Sequence, residues 1–276
     1  MAAKRVKKSV ASSPTLTDGF TQMVGDVEFR VRVDQQRVTV FLDGLESSAL
    51  NLLDPTELEF EYMQYMTCVT NAFFPLPAPL RALHLGAAAC SLPSAWEALR
   101  PGSTQVAVDL NGELLTLVRQ LFPLPKPAAL KLRQQDAALT LAQTRPGKFQ
   151  VVVRDVFAGG VTPEVLRGSD FYTQAATALG PGGLLLVNCG HGGGVDARFE
   201  VRAALGAFRD VFAFAEGKTL AGGRRGNVVL AARNPLLDEG ADETAEIWLE
   251  AERNLRKLAF PVKVLDTEKA RRWAGN

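Results

Sequence analysis

From Arg81 to Arg233 the sequence alternates short apolar runs with amphipathic stretches, and this alternation constrains the fold more than any other feature. "RALHLG", "STQVAVDL", "ALKLRQQDA", "KFQVVVRDVFAG", "GGLLLVNCG", "DVFAFAEG" and "RGNVVLAAR" read as strands. Between them, "SLPSAWEALR", "NGELLTLVRQLF", "ALTLAQT" and "VDARFEVRAALGAF" carry helical spacing, and "TPEVLRGSDFYTQAATAL" holds one helix or two. Strands this uniformly apolar need cover on both faces, which the intervening helices supply. The connections are then right-handed βαβ crossovers, and the sheet is mostly parallel. "RGNVVLAAR" reads as the last strand, and the closing pair of strands can run antiparallel. No repeat of fixed period is present.

Ahead of the alternation the pattern differs. Val27–Leu53 holds "VEFRVRV" and "RVTVFLDG" around a polar break at Asp34 to Gln36, which predicts a β-hairpin, with "SSALNLLD" as a further strand. A helix is expected from about Pro55, with Asp54 as its N-cap and Glu57 three residues past the cap. The basic, then Ser/Thr-rich start "MAAKRVKKSVASSPTLTDG" has no apolar core, so it reads as a disordered tail and not as a secretory leader. "DETAEIWLEAERNLRKLAF" reads as a C-terminal helix whose Ile247, Leu249, Leu255 and Leu258 pack on the body or on a second copy of the chain, a homodimer. The expected division is a tail over 1–26, a hairpin region over 27–54, a catalytic domain over 55–240 and a helical extension over 241–276.

Composition narrows the function. Lys plus Arg number 31 and Asp plus Glu 30, so the net charge of +1 lacks the basic excess of a dedicated nucleic-acid binder. No run approaches the roughly 18 apolar residues of a membrane span. Cys68, Cys90 and Cys189 are far apart, and the only histidines are His84 and His191. That set makes neither a disulfide framework nor a zinc or other metal site. The thiols read as small buried residues of a protein in a reducing cytoplasm.

The chemistry is expected at the strand ends, because open α/β sheets bind ligands outside the carboxyl ends of their strands. Those ends carry Gly86, Asp109, Asp136 and Asp155. Asp109, about twenty residues beyond the glycine, is placed to hold ribose hydroxyls. Asp136 would meet an adenine amino group, and Asp155 the reacting end of the ligand. Each acid could instead only cap the helix that follows it. The loop "GAAAC" has Ala87 and Ala88 where a pyrophosphate-binding loop carries glycine. It therefore suits a nucleoside without phosphates, such as S-adenosylmethionine, better than a dinucleotide.

In order, "FLDG", "EFEYM", "HLGAAAC", "VAVDLNGELLTLVRQLF", "QQDA", "VVVRDVFAG", "DFYTQAATALGPGGLLLVN" and "RGNVVLAA" resemble the spermidine synthase family, and in particular its divergent actinobacterial type. The resemblance implies a Rossmann-like class I methyltransferase sheet and a donor such as decarboxylated S-adenosylmethionine. It implies cofactor-binding residues Gly86, Ala87, Ala88, Asp109, Leu110, Asp136 and Ala137, with Asp155 as the acid that holds and deprotonates the attacking amine. It places a Tyr-Gln pair of the family on Phe60 and Glu61 and a hairpin Gln on or near Ser47. Ala89 and Ala158 stand where the family has acids.

A small-molecule amine or polyamine acceptor would meet Phe60, Glu61 and Glu57, the two acids sharing one helix face at i and i+4. A solvated face is the alternative for that pair. Three functions stay open: aminopropyl transfer, methyl transfer on the same scaffold, and an adenosyl-binding protein without catalysis. His84 reads as a core residue. His191 lies in "NCGHGGG", expected as an exposed loop. Arg224 and Arg225 are expected to be solvated in a final hairpin.

Overall fold

The computed structural model describes residues 14–236, 240–259 and 262–275. A four-stranded antiparallel sheet comes first, β1 (Thr21–Val24), β2 (Val27–Asp34), β3 (Arg37–Leu42) and β4 (Leu45–Asn51), in that spatial order. The β2–β3 hairpin turns at Gln35, and β4 supplies the further strand. β1 lies inside the stretch read as tail, so ordered structure reaches back before Val27; residues 1–13 lie outside the described residues.

The second sheet has eight strands. Its elements are α1 (Glu61–Phe73), β5 (Arg81–Leu85), α2 (Ser91–Leu99), β6 (Thr104–Asp109), α3 (Gly112–Leu121), β7 (Leu130–Gln134) and α4 (Ala137–Ala142). Then follow β8 (Phe149–Arg154), a 3₁₀ turn at Glu164–Leu166, α5 (Ser169–Ala178), β9 (Leu179–His191) and α6 (Arg198–Leu205). β10 (Asp210–Ala215), α7 (Gly217–Leu220), β11 (Gly226–Arg233), α8 (Ala241–Leu255), β12 (Lys263–Leu265) and α9 (Thr267–Ala274) complete it. The spatial order is β12-β10-β11-β9-β8-β5-β6-β7. Strands β5 to β9 are parallel, and β11 enters antiparallel to both β9 and β10. This is the mostly parallel, Rossmann-like methyltransferase sheet that the resemblance implied, preceded by a separate antiparallel sheet.

The apolar runs work as expected. In β8, Val151 and Val153 face a cluster built from α1, α2 and α8, while Val152 faces the cluster of α4, α5 and α6. β9 alternates likewise, with Leu184 and Leu186 on the first side and Leu185 and Val187 on the second. The small sheet packs Phe29, Val31 and Val40 against Leu114, Leu117 and Val118 of α3.

Four expectations are corrected. α1 starts at Glu61, not Pro55, and Asp54 instead closes a tight turn by accepting from Thr56 N and Oγ1 at 2.9 and 2.6 Å. Glu57 is thus outside the helix and shares no face with Glu61; its carboxylate accepts from Asn51 Nδ2 at 2.7 Å. β11 is not the last strand, because β12 adds to β10 at the edge. β10 and β11 are not joined by a simple hairpin: α7 lies between them, although Arg224 and Arg225 are exposed as expected.

α8 packs on its own chain. Trp248 is buried, stacked on Phe212 at 3.8 Å and set edge-on to Phe73 of α1 at 4.6 Å between ring centroids. Leu255 is buried beside it, whereas Leu249 stays exposed. Trp248→Ala should cost about 3–5 kcal/mol, the usual cost of deleting a large buried aromatic side chain. Chemical denaturation of the two proteins checks this.

Candidate functional site

The spatial order of the large sheet reverses direction between β5 and β8, and the ends of these two strands carry Gly86 and Asp155. They meet closely. Asp155 N donates to Leu85 O at 2.8 Å, and a Cβ built on Gly86 would lie 2.1 Å from Asp155 O. Gly86 also has φ +88°, a left-handed conformation that L side chains resist. Glycine is therefore required here by the close approach of the ends of two neighbouring parallel strands.

The loop after Gly86 stays tight without further glycine. Ala88 and Cys90 both take positive φ, at +39° and +59°. Ala87 N donates to Asp109 Oδ2 at 3.3 Å, and Asn111 N donates to Asp109 Oδ1 at 3.0 Å. Asp109 thus ties the ends of β5 and β6 together. Ala89 is fully buried in the cluster formed by the small sheet and α3, and its N–H donates to Ser48 Oγ at 3.3 Å. Ser48, not Ser47, makes this contact; Ser47 Oγ donates to Leu45 O.

Asp136 caps α4, with Oδ1 accepting from Leu139 N at 2.8 Å. The capping alternative thus describes Oδ1. Ala137 behind it is buried, while Leu110 and Leu139 leave 67% and 50% of their surface exposed beside the acids. Uncovered apolar side chains just after β6 and in the first turn of α4 offer contact to a ring system.

Asp155 is half-buried and doubly held. Tyr62 OH donates to its Oδ2 at 2.7 Å, and Asn188 Nδ2 donates to its Oδ1 at 2.9 Å. Burial raises its pKa above 3.8, opposed by the hydrogen bonds from Asn188 and Tyr62 and by the charge of Arg154. Burial, then the charge of Asp155, pushes the Tyr62 phenol well above 10, so it stays a donor. Asn188 is buried, and its Oδ1 has no partner among the described residues.

Neither Tyr62 nor Asn188 was anticipated. The Tyr-Gln pair that the resemblance implies falls on Phe60 and Glu61, whereas the tyrosine that meets Asp155 is Tyr62. Phe60 stacks on the Tyr62 ring at 5.8 Å. Glu61 is exposed beside Tyr65, whose pKa rises to about 12, first from burial and then from the charges of Glu61 and Glu216. Ala158 is exposed in a turn closed by its bridge to Val161. Asn188 carries no signal beyond its place directly after the apolar run 184–187.

The remaining candidates are structural. His84 is buried, with Nε2 bonded to Gln105 Oε1 at 2.9 Å and its pKa pushed down to about 4 by burial. His191 is not in an exposed loop: β9 extends to it, it is buried, and its Nδ1 accepts from Ala197 N. Among the described residues no cluster of three or more His, Cys, Asp or Glu side chains could hold a metal ion, and no helix is long and apolar enough to cross a membrane.

No protein-family model matches the chain, and no curated protein matches it. Solved structures do. A probable spermidine synthase from Corynebacterium glutamicum superposes with a TM-score of 0.82 at 28% identity, over 94% of each chain. A spermidine synthase in complex with the transition state analogue AdoDATO gives a TM-score of 0.60 at 13% identity, over 93% of this chain and 87% of that one. Human methyltransferase-like protein 13 in complex with SAH gives 0.56 at 22% identity, over 73% of this chain and 95% of that one.

Two outcomes follow from this geometry. Gly86→Ala should destabilise the protein by about 2–4 kcal/mol, since both the contact and the φ angle oppose a methyl group; its denaturation midpoint measures this. Asp155 binds its proton more tightly folded than unfolded, so stability present below pH 3.8 should be lost as the pH rises through its raised midpoint. Unfolding free energies measured against pH should decline less steeply over that window in Asp155→Asn.

Proposed function

We propose that this chain, a spermidine synthase-like protein with the class I methyltransferase fold, is a transferase that moves an aminopropyl group from decarboxylated S-adenosylmethionine to a neutral amine. The observation that carries the reading is Asp155: a half-buried carboxylate at the reversal of strand order, oriented by Tyr62 and Asn188. The AdoDATO bound by one structural neighbour and the SAH bound by another support an adenosyl ligand.

The donor's adenosine would lie along the ends of β5, β6 and β7. Asp109 would hold the ribose through the lone pairs left by its two backbone contacts. Leu110 and Leu139 would flank the adenine, with Asp136 Oδ2 toward its amino group. The sulfonium would then sit near Asp155. The amine nitrogen attacks the carbon next to the sulfonium, the C–S electron pair returns to sulfur, and methylthioadenosine leaves. The nitrogen's proton passes to Asp155, whose raised pKa suits it to receive one. Most of the acceleration would come from alignment, because the donor carries its own leaving group.

Methyl transfer from S-adenosylmethionine is the second reading, and one observation favours it. Ala89 is buried under the small sheet, so the loop presents no acid to an amine on a decarboxylated donor.

Calorimetric titration with S-adenosylmethionine, its decarboxylated form and methylthioadenosine separates the readings. Tighter binding of the decarboxylated donor is expected, and an amine screen should then yield aminopropyl transfer that Asp155→Asn lowers by about a hundredfold or more. Preference for the carboxylated donor would favour methyl transfer, and binding of none of the three would overturn both.

A further inference from the structure

Arg154 ends β8, directly before Asp155, and its side chain is wholly buried. Burying a guanidinium is costly, and an ion pair seldom offsets that cost better than two packed apolar side chains. Nor is this one fully satisfied, since Arg154 Nε has no partner among the described residues. Core stability gives no reason for an arginine at this place.

Its contacts do. Arg154 Nη2 donates to the backbone carbonyl of Asn188 at 2.8 Å and faces Glu200 Oε2 at 3.0 Å. Arg154 Nη1 donates to Leu166 O at 3.3 Å. One planar fork thus joins the strand that carries Asn188 to the far end of the segment that begins at Asp155. Glu200, on α6, keeps the guanidinium from being an uncompensated buried charge. The carboxylate is itself held by Tyr172 OH at 3.1 Å and Arg167 Nε at 3.4 Å.

We propose that the Arg154–Glu200 ion pair is a positioning device, which fixes the Asn188 backbone and the Asp155–Leu166 segment so that the Asn188 amide meets the Asp155 carboxylate. The proposal rests on reading Asp155 as the acid of the transfer site. Both members act through Asn188 and Asp155.

The test replaces the pair with an apolar one, Arg154→Met with Glu200→Leu, alongside the single variants Glu200→Gln and Arg154→Lys. Three properties are read: melting temperature, the Asn188 side-chain amide resonance assigned with Asn188→Ala, and kcat and KM for transfer. The double variant should stay folded, because an apolar pair replaces the ion pair, even though Tyr172 OH and the two carbonyls lose their partners. Its Asn188 amide signal should move toward the free-amide position, and kcat should fall about tenfold or more at unchanged donor KM. Arg154→Lys should share the defect, because an ammonium keeps the charge but cannot span both carbonyls. A folded double variant with unchanged amide signal and unchanged kcat would overturn the proposal, as would full rescue by lysine. If the double variant does not fold, Glu200→Gln is judged by the same shifts. If the wild type transfers nothing, the transferase reading fails, and the amide signal alone still decides the positioning role.

Discussion

The contact between Gly86 and the backbone of Asp155 is the constraint on which the rest of the site depends. Two central parallel strands end side by side, with no room for a Cβ between them. The order of strands runs outward from this seam in both directions, so the chains leaving β5 and β8 diverge, the arrangement at which open α/β sheets bind their ligands. Asp109 and Asp136, after β6 and β7, lie on one side of the seam, and Asp155 and Asn188, on β8 and β9, lie on the other. A side chain at residue 86 would move the Asp155 backbone, and with it the carboxylate.

That carboxylate is held by balanced opposition. Burial favours its protonated form, while the Tyr62 and Asn188 hydrogen bonds and the Arg154 charge favour the ionised form. Two donors from elements far apart in sequence fix its orientation. Beneath, the buried Arg154–Glu200 pair links β8, β9 and α6 at a cost in desolvation that apolar packing would avoid. Conformational definition of the site, not stability, is what such a network supplies.

The small antiparallel sheet shapes the other flank. It covers Ala89, and Ser48 takes the Ala89 N–H, so the middle of the loop after β5 belongs to the core. The loop turns through two non-glycine residues with positive φ, held in place by burial and by Asp109. Alanine at residue 89 therefore seals the loop against the neighbouring sheet.

By itself the sequence determined the layered α/β plan, since uniformly apolar strands must be covered on both faces and helical spacing identifies the cover. It also located Gly86, Asp109, Asp136 and Asp155, because strand ends can be counted along the chain. The start of α1 was misjudged because "DPTE" satisfies the local rules for a helix start equally well as a turn. β12 was missed because three residues carry no periodicity. Only the tertiary structure decided what holds Asp155. Tyr62 is 93 residues away and Asn188 33, and the partnership of each is a matter of which faces the sheet brings together. The same holds for Arg154 and Glu200. An arginine inside an apolar run signals a buried charge, but its partner becomes visible only when α6 packs across β8 and β9.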